Sequence, residues 1–292
     1  MKHTAVNAPA KINLVLEIVR RRPDGYHDIR TVMHTLELSD TLLFTPRQEG
    51  VLVSCDTPGV PANADNLAAR AAELFREAYG LKSGVHIHIQ KRIPVAAGLG
   101  GGSSDAAATL MGLCRFWNIP VNYRRLHALA RQLGSDVPFL LKGGCALGTG
   151  KGDRLFPWPA VPGLWMLVIN PGFAVPTPLV YKNLKLPLTS KKNYINLLRP
   201  AILKKNPEKI GQYLYNQLET VTLKMHPEVG RIKEVLLAHG ATAALMSGSG
   251  PTVFGIVPSP EAGQQMLRKL SGRYPFVCLT RTIGQSIRKN LR

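Results

Sequence analysis

A chain of 292 residues, 45% hydrophobic and 19% charged, has ample apolar material for packed cores, and its length predicts two domains of roughly 150 residues each. No segment approaches the roughly 18 uninterrupted apolar residues of a membrane span, and the start, MKHTAVNAPAKINL, has no apolar signal core, so a cytoplasmic protein is expected. The four cysteines are scattered without a CxxC pair, which argues against zinc and disulfides. The formal charge of +19 is the compositional anomaly. It fits a surface for nucleic acid, a field that concentrates a phosphorylated small molecule, or simple solubility.

In chain order, Ala10 to Ile18 alternates apolar and polar residues as a strand does, and Pro23, Asp24 and Gly25 supply a turn before a second extended stretch over Thr31 to Leu38. Asp65 is placed to cap a helix over Asn66 to Tyr79, with Leu67, Leu74, Phe75 and Ala78 on one side and Gly80 as its stop. In VHIHIQ, His86 and His88 alternate with Val85, Ile87 and Ile89, the pattern of a half-buried strand rather than a metal site.

The densest signal follows at Pro94 to Ala107, PVAAGLGGGSSDAA. Gly98, Gly100, Gly101 and Gly102 lack Cβ atoms, so their backbone can approach an anion closely while the following helix turns its positive end toward it. The loop has neither the Gly-Lys-Ser/Thr ending of a P-loop nor the spacing of a dinucleotide fingerprint. It reads as a phosphate cradle with Ser103 and Ser104 as candidate helix caps.

Beyond it, Leu110, Met111, Cys114 and Trp117, then Leu126, Leu129, Ala130 and Leu133, recur at helical spacing and belong to the core. The Pro-rich stretch Phe156 to Pro162 marks a boundary between residues 1–158 and 159–292, after which LWMLVIN opens a second unit as a buried strand. Helices are expected near Pro207 to Thr222 and Pro227 to His239, and ALMSGSGPTVFGIV reads as strand, glycine turn, strand. Basic residues gather at Arg20 to Arg22, from Lys182 through Lys191 and Lys192 to Lys205, and in the tail from Arg281 to Arg292, without the interleaved aromatics of a single-strand or RNA surface. The order of elements has no regular βαβ period, so α+β layers are expected.

Three motifs in order, APAKINL (Ala8 to Leu14), PVAAGLGGGSSDAA and LMSGSGPTVFG (Leu245 to Gly255), resemble those of the GHMP kinase superfamily. The finer motifs DGYH (Asp24 to His27), GSDVPF (Gly134 to Phe139) and PTPLVY (Pro176 to Tyr181) are similar to the branch whose substrate is a cytidine diphosphate methylerythritol, in the non-mevalonate route to isoprenoid precursors. The resemblance covers almost the whole chain. It implies a two-domain α+β architecture, an N-terminal ribosomal-protein-like ATP domain and a C-terminal ferredoxin-like domain, with the last residues able to return to the first.

That resemblance also implies roles. Asp136 is the catalytic base and Lys11 its partner, orienting the carboxylate. Pro94, Val95, Ala96, Ala97, Gly98, Leu99, Gly100, Gly101, Gly102, Ser103 and Ser104 wrap the ATP phosphates, with Asn66 and Lys91 near the adenosine. Tyr26 and Tyr181 sandwich the cytosine, His27 reads its edge, and Asn13 and Thr177 are polar contacts to the substrate. Mg²⁺ is expected, with Ser103, Ser104 and Asp105 as candidates and no ligand set readable. The expected protein is a monomer or weak homodimer acting on a small molecule, not on nucleic acid or a membrane. The alternatives are a GHMP kinase of mevalonate, phosphomevalonate or homoserine, and a basic nucleic-acid-binding protein.

Overall fold

The computed structural model describes residues 4–185, 192–284 and 287. Lys191 and the basic tail beyond Arg281, apart from Thr282 to Gly284 and Ile287, lie outside those residues. Two strands far longer than the sequence pattern suggests form the spine, β1 (Thr4–Arg21) and β2 (His27–Arg47), paired antiparallel across the Asp24–Gly25 turn. The extra length was hidden because their middles are buried on both faces, which erases polar alternation. Register shifts fall between Pro9 and Lys11 and between Asn13 and Val15. Such irregularities bend a strand and re-aim its side chains, and here they bracket the only polar pair in its buried centre, Lys11 and Asn13.

The strands β3 (Val51–Cys55) and β4 (Gly84–Gln90) extend this sheet on one side; β5 (Cys145–Gly150) and β6 (Arg154–Trp158) form a hairpin that pairs through β5 with β2. Phe156 to Trp158 are thus residues of β6. One face of the sheet carries four helices, α1 (Leu67–Tyr79), α2 (Gly101–Phe116), α3 (Tyr123–Leu133) and α4 (Val137–Lys142), over a core centred on Phe44, Phe75, Leu110 and Phe139. On α1 the buried residues are Ala68, Ala69, Ala71, Ala72 and Phe75, with Leu67, Leu74 and Ala78 at the margin.

Two capping expectations are corrected. Asn66, not Asp65, caps α1: its Oδ1 accepts from Ala68 N at 2.8 Å, an arrangement Asp65 stands one residue too early to make. Gly100 rather than Ser103 or Ser104 precedes α2, because the left-handed turn at Gly100 starts the helix and takes both serines into its first turn.

The chain then enters a second, four-stranded sheet in the order β11 (Phe276–Arg281), β7 (Trp165–Asn170), β10 (Val253–Ile256), β9 (Ala243–Met246). Its helices are α5 (Thr177–Lys182), α6 (Tyr194–Leu203), α7 (Pro207–Gln212), α8 (Glu219–Met225), α9 (Pro227–Ala238) and α10 (Pro260–Leu270). The single helix expected over Pro207 to Thr222 is broken between α7 and α8 by β8 (Tyr215–Asn216), which pairs parallel with Val15 and Leu16 of β1. Tertiary pairing overrides local helix preference there. A second core, with Ile12, Leu14, Val32, Val168 and Phe254, joins the two sheets. The chain's last described residues return to β2: Ile283 N donates to Thr35 O at 3.0 Å, and Ile287 is buried in the first core.

Candidate active site

Lys11 is almost wholly buried, and its ammonium has two partners. Nζ donates to Asn13 Oδ1 at 2.8 Å and lies 3.3 Å from Asp136 Oδ2. Asn13 passes the constraint on: its Nδ2 donates to Thr31 Oγ1 at 2.8 Å, and that hydroxyl donates to Val15 O at 2.8 Å. The Asn13 amide is thus engaged at both ends, and its visible role is to hold Lys11. Asp136 sits at the start of α4 with its carboxylate about one-third exposed, open on one side to a ligand.

The glycine loop lies directly over this pair. Lys11 N donates to Leu99 O at 2.9 Å, and a Cβ on Gly100, whose φ is +72°, would stand 2.9 Å from Lys11 Cγ. Gly98 is tighter still, since a Cβ there would meet Ser247 O at 2.2 Å. Ser247 Oγ donates to Gly98 O at 3.0 Å, so the second and third motifs form one contact. Asn216 of β8 braces the third from beneath, its Nδ2 donating to Met246 O and Gly248 O at 2.8 Å each. Glu219 Oε1 accepts from Met246 N at 2.9 Å.

Lys91 holds the loop from behind. Its Nζ donates to Asp40 Oδ2 at 2.5 Å and to Asp105 Oδ2 at 2.8 Å, and Asp40 Oδ1 accepts from Arg92 N and Ile93 N. All three side chains are buried. Burial pushes the Asp105 carboxyl up to about 7, against the pull of the Lys91 ammonium and with the Asp40 carboxylate adding to the rise. Asp105 Oδ1 has no hydrogen-bond partner among the described residues. Asn66 likewise has structural work, capping α1 and donating through Nδ2 to Pro61 O at 2.7 Å. Val95 and Ala96 are exposed on the loop's outer side, Ala97 and Leu99 are buried beneath it, and Pro94 lies between.

The aromatic residues divide into two contacts. His27 and Tyr181 face each other with ring centroids 5.1 Å apart, while Tyr26, 61% exposed, has Lys151 Nζ over its ring at 3.6 Å. Burial holds the Tyr181 phenol protonated well above its ordinary range, and the nearby Asp136 carboxylate adds to the effect. Burial, then the Arg21 charge, lowers His27, leaving the neutral imidazole with one donor and one acceptor. The Thr177 hydroxyl is 2.7 Å from Ser249 Oγ, tying α5 to the third motif.

Sequence reasoning did not single out Asp40, Asn216, Glu219 or Lys151. Asp40 was findable as a charge inside an apolar strand; the others act through contacts between distant segments. His86 Nε2 and His88 Nδ1 both bond Ser54 Oγ on the polar face of β4.

A buried lysine paired with an open carboxylate under a glycine-rich loop, on two α+β layers, defines a small-molecule kinase. The families described as GHMP kinases N terminal domain and GHMP kinases C terminal match residues 66–144 and 198–275. The 4-diphosphocytidyl-2-C-methyl-D-erythritol kinase of Bacillus subtilis (strain 168) is 45% identical over 95% of this chain and 96% of its own, and that of Geobacillus sp. (strain WCH70) 42% identical over 96% and 97%. A crystal structure of 4-(cytidine 5'-diphospho)-2C-methyl-D-erythritol kinase superposes with a TM-score of 0.82 at 36% identity, covering 96% of this chain and 100% of that one. Homoserine kinase from Cytophaga hutchinsonii shares the fold at a TM-score of 0.76 and 21% identity, covering 97% of this chain and 96% of its own. The chain belongs to the 4-diphosphocytidyl-2-C-methyl-D-erythritol kinase family of the GHMP kinases.

Proposed function

We propose that this chain transfers the γ-phosphoryl group of ATP to the 2-hydroxyl of 4-diphosphocytidyl-2-C-methyl-D-erythritol, supplying an isoprenoid precursor. The observation that carries the reading is the buried Lys11 ammonium 3.3 Å from the part-exposed Asp136 carboxylate, directly beneath the glycine loop to which Lys11 N is bonded at Leu99 O. Asp136 accepts the proton of the 2-hydroxyl while that oxygen attacks the γ-phosphorus and ADP departs. Lys11, held by Asn13, aims the carboxylate and steadies charge around the reacting oxygen. The N–H groups of residues 94–104 and the N-terminus of α2 receive the phosphates.

Mg²⁺ fits as an ion bound mainly by phosphate and water. Asp105 Oδ2 is taken by Lys91 and Ser104 Oγ donates to Pro9 O at 2.7 Å, which leaves the Ser103 hydroxyl and the buried Asp105 Oδ1 as the side-chain oxygens near the start of α2 that could reach it. The ion supplies charge neutralisation at the phosphates. Tyr26, His27 and Tyr181 bind the cytosine by stacking and edge hydrogen bonds, with Thr177 at the rim. Residues 1–158 then carry ATP and the catalytic groups and 159–292 complete the substrate site, in a cytoplasmic enzyme acting as a monomer or weak homodimer. No helix among the described residues is long and apolar enough to cross a membrane.

ADP release is measured with Mg²⁺-ATP and 4-diphosphocytidyl-2-C-methyl-D-erythritol, beside mevalonate, phosphomevalonate and homoserine. Turnover with the cytidylated alcohol alone is expected; turnover with another acceptor would remove the cytidine pocket from the reading. Turnover with none, together with salt-sensitive binding to arbitrary DNA, would favour a nucleic-acid role for the +19 charge.

A further inference from the structure

Two hairpin turns meet beside the aromatic residues. The β1–β2 turn carries Tyr26, and the β5–β6 turn carries Lys151 at its tip between Gly150 and Gly152, both with positive φ. The turns are neighbours because β5 pairs with β2, Ile29 opposite Gly150. Lys151 Nζ stands 3.6 Å from the centre of the Tyr26 ring and 3.1 Å from Asp24 Oδ2. Asp24 Oδ1 in turn accepts from Tyr26 N at 3.2 Å, and Arg22 Nε donates to the same carboxylate. Arg22 Nη1 and Arg20 Nε both donate to Asp28. One ammonium therefore touches the tyrosine's ring directly and its backbone through a single carboxylate.

We infer that Lys151 is a positioning residue for the nucleobase: it fixes Tyr26 from one ring face and leaves the opposite face presented as a flat platform. This rests on the reading of Tyr26 as a base contact. An exposed tyrosine on a turn would otherwise sample several rotamers, and each binding event would have to order it. A cation over the ring removes that freedom before the ligand arrives. The charge pattern suits the task, because the Lys151 ammonium is already paired with Asp24 and is turned to the ring instead of projecting free into solvent. Arg22 first, and Lys151 after it, hold the Asp24 carboxyl at about 2, so Asp24 stays ionised at any pH an assay would use.

The competing role for a lysine near a diphosphate substrate is direct contact with phosphate. The two separate cleanly with an uncharged probe. Lys151→Met, Lys151→Arg and Tyr26→Ala are compared for kcat, for KM of each substrate, and for inhibition by cytidine and by cytidine diphosphate. Lys151→Met is expected to raise KM for the cytidylated substrate and the inhibition constants of both probes by the same factor, roughly fivefold. KM for ATP and kcat stay within about twofold, and Lys151→Arg restores most of the loss. Weakened cytidine diphosphate with unchanged cytidine would overturn the inference, since Lys151 would then act on the phosphates. Unchanged KM in Lys151→Met, with Tyr26→Ala impaired, would overturn the clamp alone. Unchanged KM in Tyr26→Ala would overturn both the clamp and the assignment of Tyr26 to the base.

Discussion

Lys11 Nζ lies 3.3 Å from Asp136 Oδ2 and donates to Asn13 Oδ1 at 2.8 Å, so the cation beside the carboxylate is held from a second side. Asp136→Ala removes the proposed proton acceptor and leaves the cation held by Asn13. Turnover is expected to fall by about 10²- to 10⁴-fold while ATP affinity and cooperative unfolding persist. Single-turnover ADP release with ATP titration by calorimetry checks this. Loss of ATP binding together with folding would remove Asp136 from the catalytic role.

The rings of Tyr181 and His27 face each other with centroids 5.1 Å apart. Tyr181→Ala deletes a stacking face, which is worth about 1–3 kcal/mol per base. KM for the cytidylated substrate should rise about 10- to 100-fold with KM for ATP nearly constant. Tyr181→Phe keeps the face and should restore most of the affinity. Equal weakening of both substrates would contradict a base-stacking role.

The site was legible wherever one short segment carries both the chemistry and its geometry. The glycine run announces close backbone approach through composition alone, and Gly98 and Gly100 indeed sit where a Cβ would strike Ser247 O and Lys11 Cγ. The strand through Lys11 and the β9–β10 turn could also be read from pattern. Asp136 gave little local signal, because an isolated aspartate before a short helix is commonplace and its meaning comes from a lysine 125 positions away. Asn216 was illegible because a two-residue strand inside an apparently helical stretch exists only through its pairing with β1. The Asp65 cap was misread by one residue, as Asn and Asp side by side are equivalent until backbone dihedrals choose between them.

The contact between Gly98 and Ser247 makes a sharp prediction about the loop. At φ +76°, alanine at position 98 pays the left-handed penalty of about 1–2 kcal/mol, and its Cβ would collide with a backbone carbonyl at 2.2 Å. Gly98→Ala should lose at least about 2 kcal/mol in urea unfolding and weaken ATP by an order of magnitude or more. Gly102→Ala is the control. Its Cβ would find only Leu67 Cδ1 at 3.8 Å, inside a helix where alanine is favoured by about 1 kcal/mol. If both variants unfold alike, the tight contact between the two motifs does not exist in solution.

Asp105 makes the pH dependence of stability predictable in sign. Its folded carboxyl is raised to about 7 by burial, whereas an unfolded aspartate titrates near 3.9. A raised folded pKa means the native state binds the proton more tightly, so this contribution is full below about pH 4 and is lost as pH rises to about 7. In the folded protein above that range, the ionised Asp105 shares the Lys91 ammonium with Asp40, and its Oδ1 has no hydrogen-bond partner among the described residues. Asp105→Asn keeps an oxygen to accept from Lys91 and removes the second charge. Thermal melts at pH 5 and pH 8 should therefore show the wild type losing more stability than Asp105→Asn across the interval, by at least about 2 °C in the difference of Tm shifts. The amide variant should be relatively better at pH 8. A wild-type advantage that grows with pH would mean that Asp105 is ionised throughout and that Lys91 alone satisfies both carboxylates.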